Sequence, residues 1–423
     1  MKPYFRAMKI GIIREGKTPP DNRVVLSPDQ CKELLAKYPL AEIKIQIQSS
    51  SHRCYSDQEY QNAGLTLTDD ISDCDILIGI KEVPMDLLIP NKTYFIFSHT
   101  IKKQSGNQKL IQAIIKKNIT LIDYECITDE NGNRLIAFGR FAGIVGAHNG
   151  LMAYGKRTGN FNLPRIKDFK NFEAMKNFYR SSSLSFPRLN IVVTGTGRVA
   201  SGAVELLDFL DIKKVSKEEF LSYSVSSIEL RESQPVYTQL TSDDLYSRIS
   251  DGGFDRTEFH ARPELYQCDF KPYTSLTDIM LNCVFWKKGI PPFFKVHDIH
   301  LNWFRIKTIA DISCDVQGSV PITLRASTID EPVYGIDKNT HLETAPYLPS
   351  SVDIMAVDNL PNELPRDASN EFGEKFINLV FPELLKMVGG DANHGSEMID
   401  RATIVKNGEL TERFEYLEDY AKN

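Results

Sequence analysis

The sequence predicts an α/β protein built on parallel sheets. Three observations carry that expectation. Residues 9–124 alternate short apolar runs with amphipathic stretches, the rhythm of strand–helix–strand units. Residues 189–207, LNIVVTGTGRVASGAVELL, pass from an apolar run through a glycine pair into a second apolar pattern. Residues 278–286 and 306–312, DIMLNCVFW and IKTIADI, are continuous apolar runs of the kind that strands show when both faces are covered.

The elements follow in order. Lys9 to Ile13 reads as a short buried strand running into Arg14-Glu15-Gly16. Ser27-Pro28 opens a helix from Asp29 to Tyr38, with Ser at the cap and Pro in the first turn. Strands are expected at Ile43–Ile47, Asp75–Ile80, Tyr94–Ser98 and Thr120–Tyr124, with helices at Tyr60–Ala63 and Gln104–Lys117. From Ala137, AFGRFAGIVGAHNG spaces small residues as a helix does when it presses on another element or bridges two domains. A connecting segment, 158–188, holds a short helix around Phe169–Tyr179. Residues 222–277 are longer and more polar than a plain crossover needs and read as an insertion. After Gly318 the chain turns loop-rich and studded with proline. A helix from Ala368 to Lys386 follows, divided at Pro382, and the charged tail from Gly408 reads as a docking helix.

The glycine pair carries the first chemistry. Gly195 lets the chain turn sharply, Gly197 lets backbone approach a pyrophosphate, and Ala200 lets the helix lie close to its strand. The first N–H groups of that helix, and its dipole, then face an anion. Glycines at such a turn can serve the turn alone. A strand before and a helix after favour nucleotide binding.

Composition narrows the class. With 42% hydrophobic and 25% charged residues the chain is ordinary for a globular protein. A net charge of −6 argues against nucleic acid as partner. No apolar run approaches the ~20 residues of a membrane helix, so no membrane partner is expected. The N-terminus lacks the pattern of a signal peptide. Seven scattered cysteines without C-x-x-C suggest free thiols in a reducing cytoplasm. The histidines form no zinc motif, so no metal is expected.

In open α/β sheets ligands bind beyond the carboxyl ends of the strands. Polar residues stand at successive expected strand ends: Lys81, His99, Glu125, Asp311 and Asp315, with Arg14 and Arg23 flanking the loop after the first strand. Each has an ordinary alternative, as a solvated lysine, a structural histidine or a capping aspartate. Together they suit amino-acid redox chemistry. A lysine with a lowered pKa can take the amine proton as an imine forms. A histidine can then serve its hydrolysis, and an arginine can fork onto a carboxylate.

These segments also resemble a family. REGKTPPDNRVVLSP, ILIGIKEVP, FSHTIKKQSGNQ, YECITDENGNRLIAFGRFAGIVGA, VVTGTGRVASGA and ADISCD occur in the order seen in the alanine dehydrogenase and lysine-forming saccharopine dehydrogenase superfamily, which includes pyridine nucleotide transhydrogenase. DNLPNELPRDAS and PYTSLTDIMLNCVFW look more like the saccharopine branch, nearest its lysine–ketoglutarate reductase form. The resemblance implies two Rossmann-like domains with parallel sheets and the active site in the cleft between them. It implies a discontinuous substrate domain, 1–145 plus 319–423, and a dinucleotide-binding domain, 146–318, carrying the 222–277 insertion. Lys81 then matches the general base, His99 a second acid/base, and Glu125 an acid that tunes the pair. Arg23 matches the arginine that faces substrate carboxylate. Lys102 and Gln104 match positions that line the site in the saccharopine enzymes, and Phe138 matches a substrate-side aromatic. Gly195, Gly197, Arg198 and Val199 fall in the dinucleotide turn. Asp315 matches an aspartate near the reacting centre, with Asp311 as its companion on the cofactor side.

The implied reaction is nicotinamide-dependent oxidoreduction at a CH–NH bond of a small amino-acid or 2-oxo-acid substrate. Saccharopine formation from lysine and 2-oxoglutarate, or its reverse, is favoured over alanine dehydrogenation. A non-catalytic nucleotide-sensing module would keep the glycine turn and lose the Lys81–His99 pair. An acid is expected about 20 residues past the glycines in NAD enzymes. Val215-Ser216-Lys217 stands there instead, and Ser216 with Lys217 suits a 2′-phosphate, which favours NADP(H) over NAD(H). The oligomeric state stays open, since alanine dehydrogenases are often hexamers and saccharopine dehydrogenases often monomers.

Overall fold

The repeating unit of strand, helix and strand recurs in a computed structural model of the chain, which describes residues 8–39, 41–182, 184–222, 234–388 and 396–422. In chain order its strands are β1 (Met8–Ile12), β2 (Ile43–Gln48), β3 (Thr66–Thr68), β4 (Ile76–Ile78), β5 (Thr93–Ile96), β6 (Thr120–Asp123), β7 (Asn190–Thr194), β8 (Lys213–Lys214) and β9 (Val236–Leu240). Then come β10 (Tyr246–Arg248), β11 (Tyr266–Cys268), β12 (Ile279–Asn282), β13 (Thr308–Asp311), β14 (Val333–Asp337), β15 (Glu343–Thr344), β16 (Ser351–Met355), β17 (Thr403–Lys406) and β18 (Glu409–Leu410). The chain divides into two units, Met1–Phe138 with Pro365–Asn423, and Gly139–Leu364.

The first unit holds a sheet in the order β18-β17-β6-β5-β4-β1-β2-β3. β1 to β6 pair in parallel, and β17 joins β6 antiparallel. Strand order reverses at β1, whose neighbours are β2 and β4, so the β1/β4 junction is a topological switch point. The strands form because their residues are wanted on both faces: Ile76, Leu77 and Ile78 are all buried. The helix Pro28–Lys37 starts where expected. Ser27 accepts the Gln30 N–H, Gln30 reciprocates, and Leu34 is buried. Towards the C-terminus, Pro365–Lys375 continues through a π turn, Phe376–Val380, into Phe381–Val388. The turn sits just before Pro382, which has no N–H to give the helix. The tail is not one helix. β18 comes first, then a 3₁₀ turn, Glu412–Leu417, and a short helix, Glu418–Lys422, with Tyr416 donating to the Ile101 carbonyl.

The second unit's sheet runs β15-β14-β16-β13-β12-β7-β9-β8, parallel except at β14 and β15. Here three expectations need correction. The stretch after Gly318 does not return to the first unit as loop. β16 pairs with β13 and β14 with β16, so 319–364 belongs to the second sheet and the return begins at Pro365. Its prolines mark turns between short strands. Likewise, 222–277 is not all insertion. β9 lies inside it and pairs with β7 along its whole length, leaving the β10–β11 hairpin as the added piece. Residues 223–233 of that stretch lie outside the described residues. Finally, β12 stops at Asn282, and Phe285 beyond it is 71% exposed.

The glycine-rich segment is a helix, Gly139–Thr158, pressed on the helix Arg198–Phe209. A Cβ at Gly143 would stand 1.9 Å from the Val199 carbonyl oxygen, and one at Gly202 the same distance from that of Arg140. Among the described residues no helix is long and apolar enough to cross a membrane.

Candidate active site

The first sheet's carboxyl edge gathers most of the expected residues. Lys81 and Glu82 follow β4, His99 follows β5, Glu125 follows β6, and Glu15, Lys17, Asp21 and Arg23 follow β1. Asp123, at the end of β6, anchors two of these segments. It accepts from the Ser98 N–H at 2.9 Å and the Ser98 hydroxyl at 2.5 Å, and from the Glu125 N–H at 2.7 Å. His99 sits between, in the left-handed region at φ 53°, a conformation a non-glycine residue keeps only when its surroundings over-determine it.

A chain of charge runs across this edge. Glu82 receives the Lys17 ammonium at 2.8 Å on one oxygen and faces His99 Nδ1 at 3.2 Å on the other. Burial would raise the Glu82 carboxyl, but the His99 and Lys17 contacts outweigh it and bring it down to about 2. Lys81 is pushed the other way, below the usual lysine range, first by burial and then by the Arg23 and Lys17 cations. A lysine depressed in this way gives up its proton more readily than a solvated one. Glu125 is held below its ordinary value although burial opposes it, because Arg134 at 2.7 Å and Lys102 at 3.5 Å lie against one of its oxygens.

Arg23 is buried and fixed. Its Nε donates to Asp21 Oδ1 at 2.9 Å and one Nη to Oδ2 at 2.5 Å. The guanidinium lies 4.2 Å from the Phe138 ring centroid, and Phe138 stacks on Phe372 at 4.7 Å. Gln104 is exposed, and its described partners are Asn107 and Tyr420 rather than the Lys81–His99 group. Sequence reasoning missed Glu15, Lys17, Asp21 and Glu82. The signal was there: all four are charged and lie in the strand-end segments already singled out.

In the second unit the glycine turn fits a dinucleotide phosphate. Gly195 takes φ 87°, which a side chain would resist. A Cβ at Gly197 would meet nothing within 4 Å, so that face of the turn is open. The helix from Arg198 begins with no side-chain cap, leaving its first N–H groups directed at an anion site. Val199 packs beside Gly139, and Ala200 is buried. Asp315 is half-buried in the turn after β13.

Two residues expected on the cofactor side have partners within the fold. Ser216 is occupied as a cap, its hydroxyl accepting the Glu219 N–H at 3.1 Å, while Lys217 pairs with Asp244. Asp311 is buried with both oxygens used, by Asn282 at 2.8 Å and Thr323 at 2.6 Å. Burial first, and Asp315 further, raise its carboxyl to about 6. It ties strand ends together. The strand beside β7 is β9, whose Leu240 carbonyl accepts the Gly195 N–H at 2.8 Å, so the residues next to the turn are Thr241-Ser242-Asp243-Asp244.

The N-terminal domain family of alanine dehydrogenase and PNT matches residues 11–145. An α-aminoadipic semialdehyde synthase of Arabidopsis thaliana is 30% identical over 96% of this chain and 41% of its own length. The mitochondrial enzyme of that name from Rattus norvegicus is 30% identical over 89% and 44%. This chain therefore spans less than half of those relatives. The saccharopine dehydrogenase [NAD(+), L-lysine-forming] of Yarrowia lipolytica is 24% identical, and the match covers 89% of this chain and 91% of that one. The chain belongs to the alanine dehydrogenase and saccharopine dehydrogenase superfamily. An L-alanine dehydrogenase structure shares the superfamily fold with TM-score 0.63 at 17% identity, covering 98% of this chain and 100% of that one.

Proposed function

We propose that the chain is a nicotinamide-dependent oxidoreductase of the lysine-forming saccharopine dehydrogenase, or lysine–2-oxoglutarate reductase, type. The observation that carries this is the presence, at the ends of neighbouring strands β4 and β5, of a lysine with a depressed pKa and a histidine held by Glu82. The nicotinamide, when bound, supplies the hydride acceptor or donor. In the oxidative direction Lys81 takes the proton of the secondary amine, and His99 assists attack of water on the imine. Arg23, fixed by Asp21, forks onto one substrate carboxylate, and Lys102 with Arg134 serves a second. That second cationic group favours a dicarboxylic partner over alanine. Assays with lysine plus 2-oxoglutarate against pyruvate plus ammonia test it, and turnover with only the latter pair would overturn it.

Asp243 is the acid we assign to the adenosine ribose, which favours NAD(H). It stands past the end of the strand that adjoins the glycine turn. The yeast relatives' printed names specify NAD(+). Asp243→Ser should raise the KM for NAD while kcat holds, and a wild-type preference for NADP in steady-state kinetics would refute the assignment. The seven unpaired cysteines support a reducing compartment such as the cytoplasm.

A further inference from the structure

We infer that Glu15 is a positioning residue for Lys81, its carboxyl group replacing the strand partner that β4 loses at the switch point. The inference rests on Lys81 being the base. The β1–β4 ladder ends at the Ile12–Ile78 pair. One more backbone bond follows, from the Ile13 N–H to the Ile78 carbonyl at 3.0 Å. Beyond it the two strands part, and β4 has backbone donors to satisfy just where the site needs a fixed side chain. Glu15 supplies both acceptors. Its Oε1 accepts the Ile80 N–H at 2.6 Å and its Oε2 the Lys81 N–H at 2.9 Å. Two bonds to consecutive amides set the direction in which the Lys81 side chain leaves the backbone.

The neighbouring residue makes room for this. A Cβ at Gly79 would stand 2.5 Å from Ile13 and 3.3 Å from Glu15 Oε1, so glycine there lets the carboxyl group reach the amides. The charged groups around the pair are Lys17, Asp21 and Arg23 from the loop after β1, and Glu82 beside Lys81. Tyr124 faces Glu15 from the end of β6, its hydroxyl buried with no hydrogen-bond partner among the described residues. Held among these groups, Lys81 feels the Arg23 and Lys17 cations that depress it. Released, it swings away from them.

Glu15→Gln tests the inference. Glutamine keeps the volume and one acceptor but sets an N–H₂ against the other amide. With the folded fraction checked by circular dichroism, kcat should fall ~100-fold, the scale expected of a small misplacement, with KM little changed. The limb of the pH profile that reports the base should move up, towards free lysine. A downward shift would mean Glu15 acts on Lys81 by charge rather than by position, and would overturn the inference. In a Lys81→Met background the Glu15→Gln change should cost nothing further. Equal losses in both backgrounds would overturn it as well. If Lys81→Met alone leaves turnover intact, the base assignment has failed. If Lys81→Met abolishes turnover while Glu15→Gln is silent, the positioning role alone has failed.

Discussion

The carboxyl edges of the two sheets are built from similar residues to opposite ends. In the first unit they are ionisable, half-buried and shifted: Lys81 down, Glu82 down to about 2, Glu15 up to about 8. In the second unit they close on one another. Thr194 donates to Asn282 at 3.0 Å, and Asn282 donates to both Asp311 and Ser319 at 2.8 Å. Thr323 takes the remaining Asp311 oxygen. What the second edge presents to a ligand is backbone, the open glycine turn and the first N–H groups of a helix. The lesson is a division of labour. One sheet edge keeps ionisable side chains away from their ordinary pKa values. The other satisfies its side chains with one another and presents peptide groups.

That contrast can be broken at its largest effect first. Lys81→Met should lower turnover ~10³-fold in steady-state assays while the thermal midpoint stays near wild type. Unchanged turnover would remove the first edge from the chemistry. The second unit should show the reverse sensitivity, with stability affected before chemistry. Gly143→Ala drives a methyl into the Val199 carbonyl and should cost about 3 kcal/mol, read by urea unfolding.

The pH dependence of stability should have opposite signs at Glu82 and at Asp311. Glu82 has a folded pKa of about 2 against an ordinary 4.5. Its contribution is present above 4.5 and is lost as pH falls towards 2. Asp311 is raised from 3.8 to about 6. Its contribution is present below 3.8 and is lost as pH rises through 6, by on the order of 2–3 kcal/mol. Glu82→Gln should flatten the acid limb of a stability–pH curve, and Asp311→Asn the limb between pH 4 and 6. No change in either limb would contradict the corresponding contact. The smallest effect sharpens the comparison without altering either edge. Burial raises the thiols of Cys54 and Cys74 in the first unit, and of Cys268 and Cys314 in the second, to about 12. A thiol reagent should therefore be slow on the native protein. Labelling along a urea gradient, mapped by mass spectrometry, then reports which unit opens first.

Much of this was legible from the sequence because it is local. Strand alternation, the Ser27 cap and the demand for glycine at Gly195 depend on neighbours a few residues away. So does the placing of Lys81, His99 and Glu125 just past apolar runs. The superfamily resemblance rested on such segments too. Tertiary structure alone decided which strand lies beside β7. Counting along the chain points to Ser216, whereas hydrogen bonding puts β9, which ends at Leu240, beside β7. It alone decided that Glu15 meets an amide 65 positions away and that Asp311 is spent on the fold. The reason is physical. A backbone turn is set by the dihedrals its own residues allow, but pairing between strands and the burial of charge are settled between groups that only folding brings together.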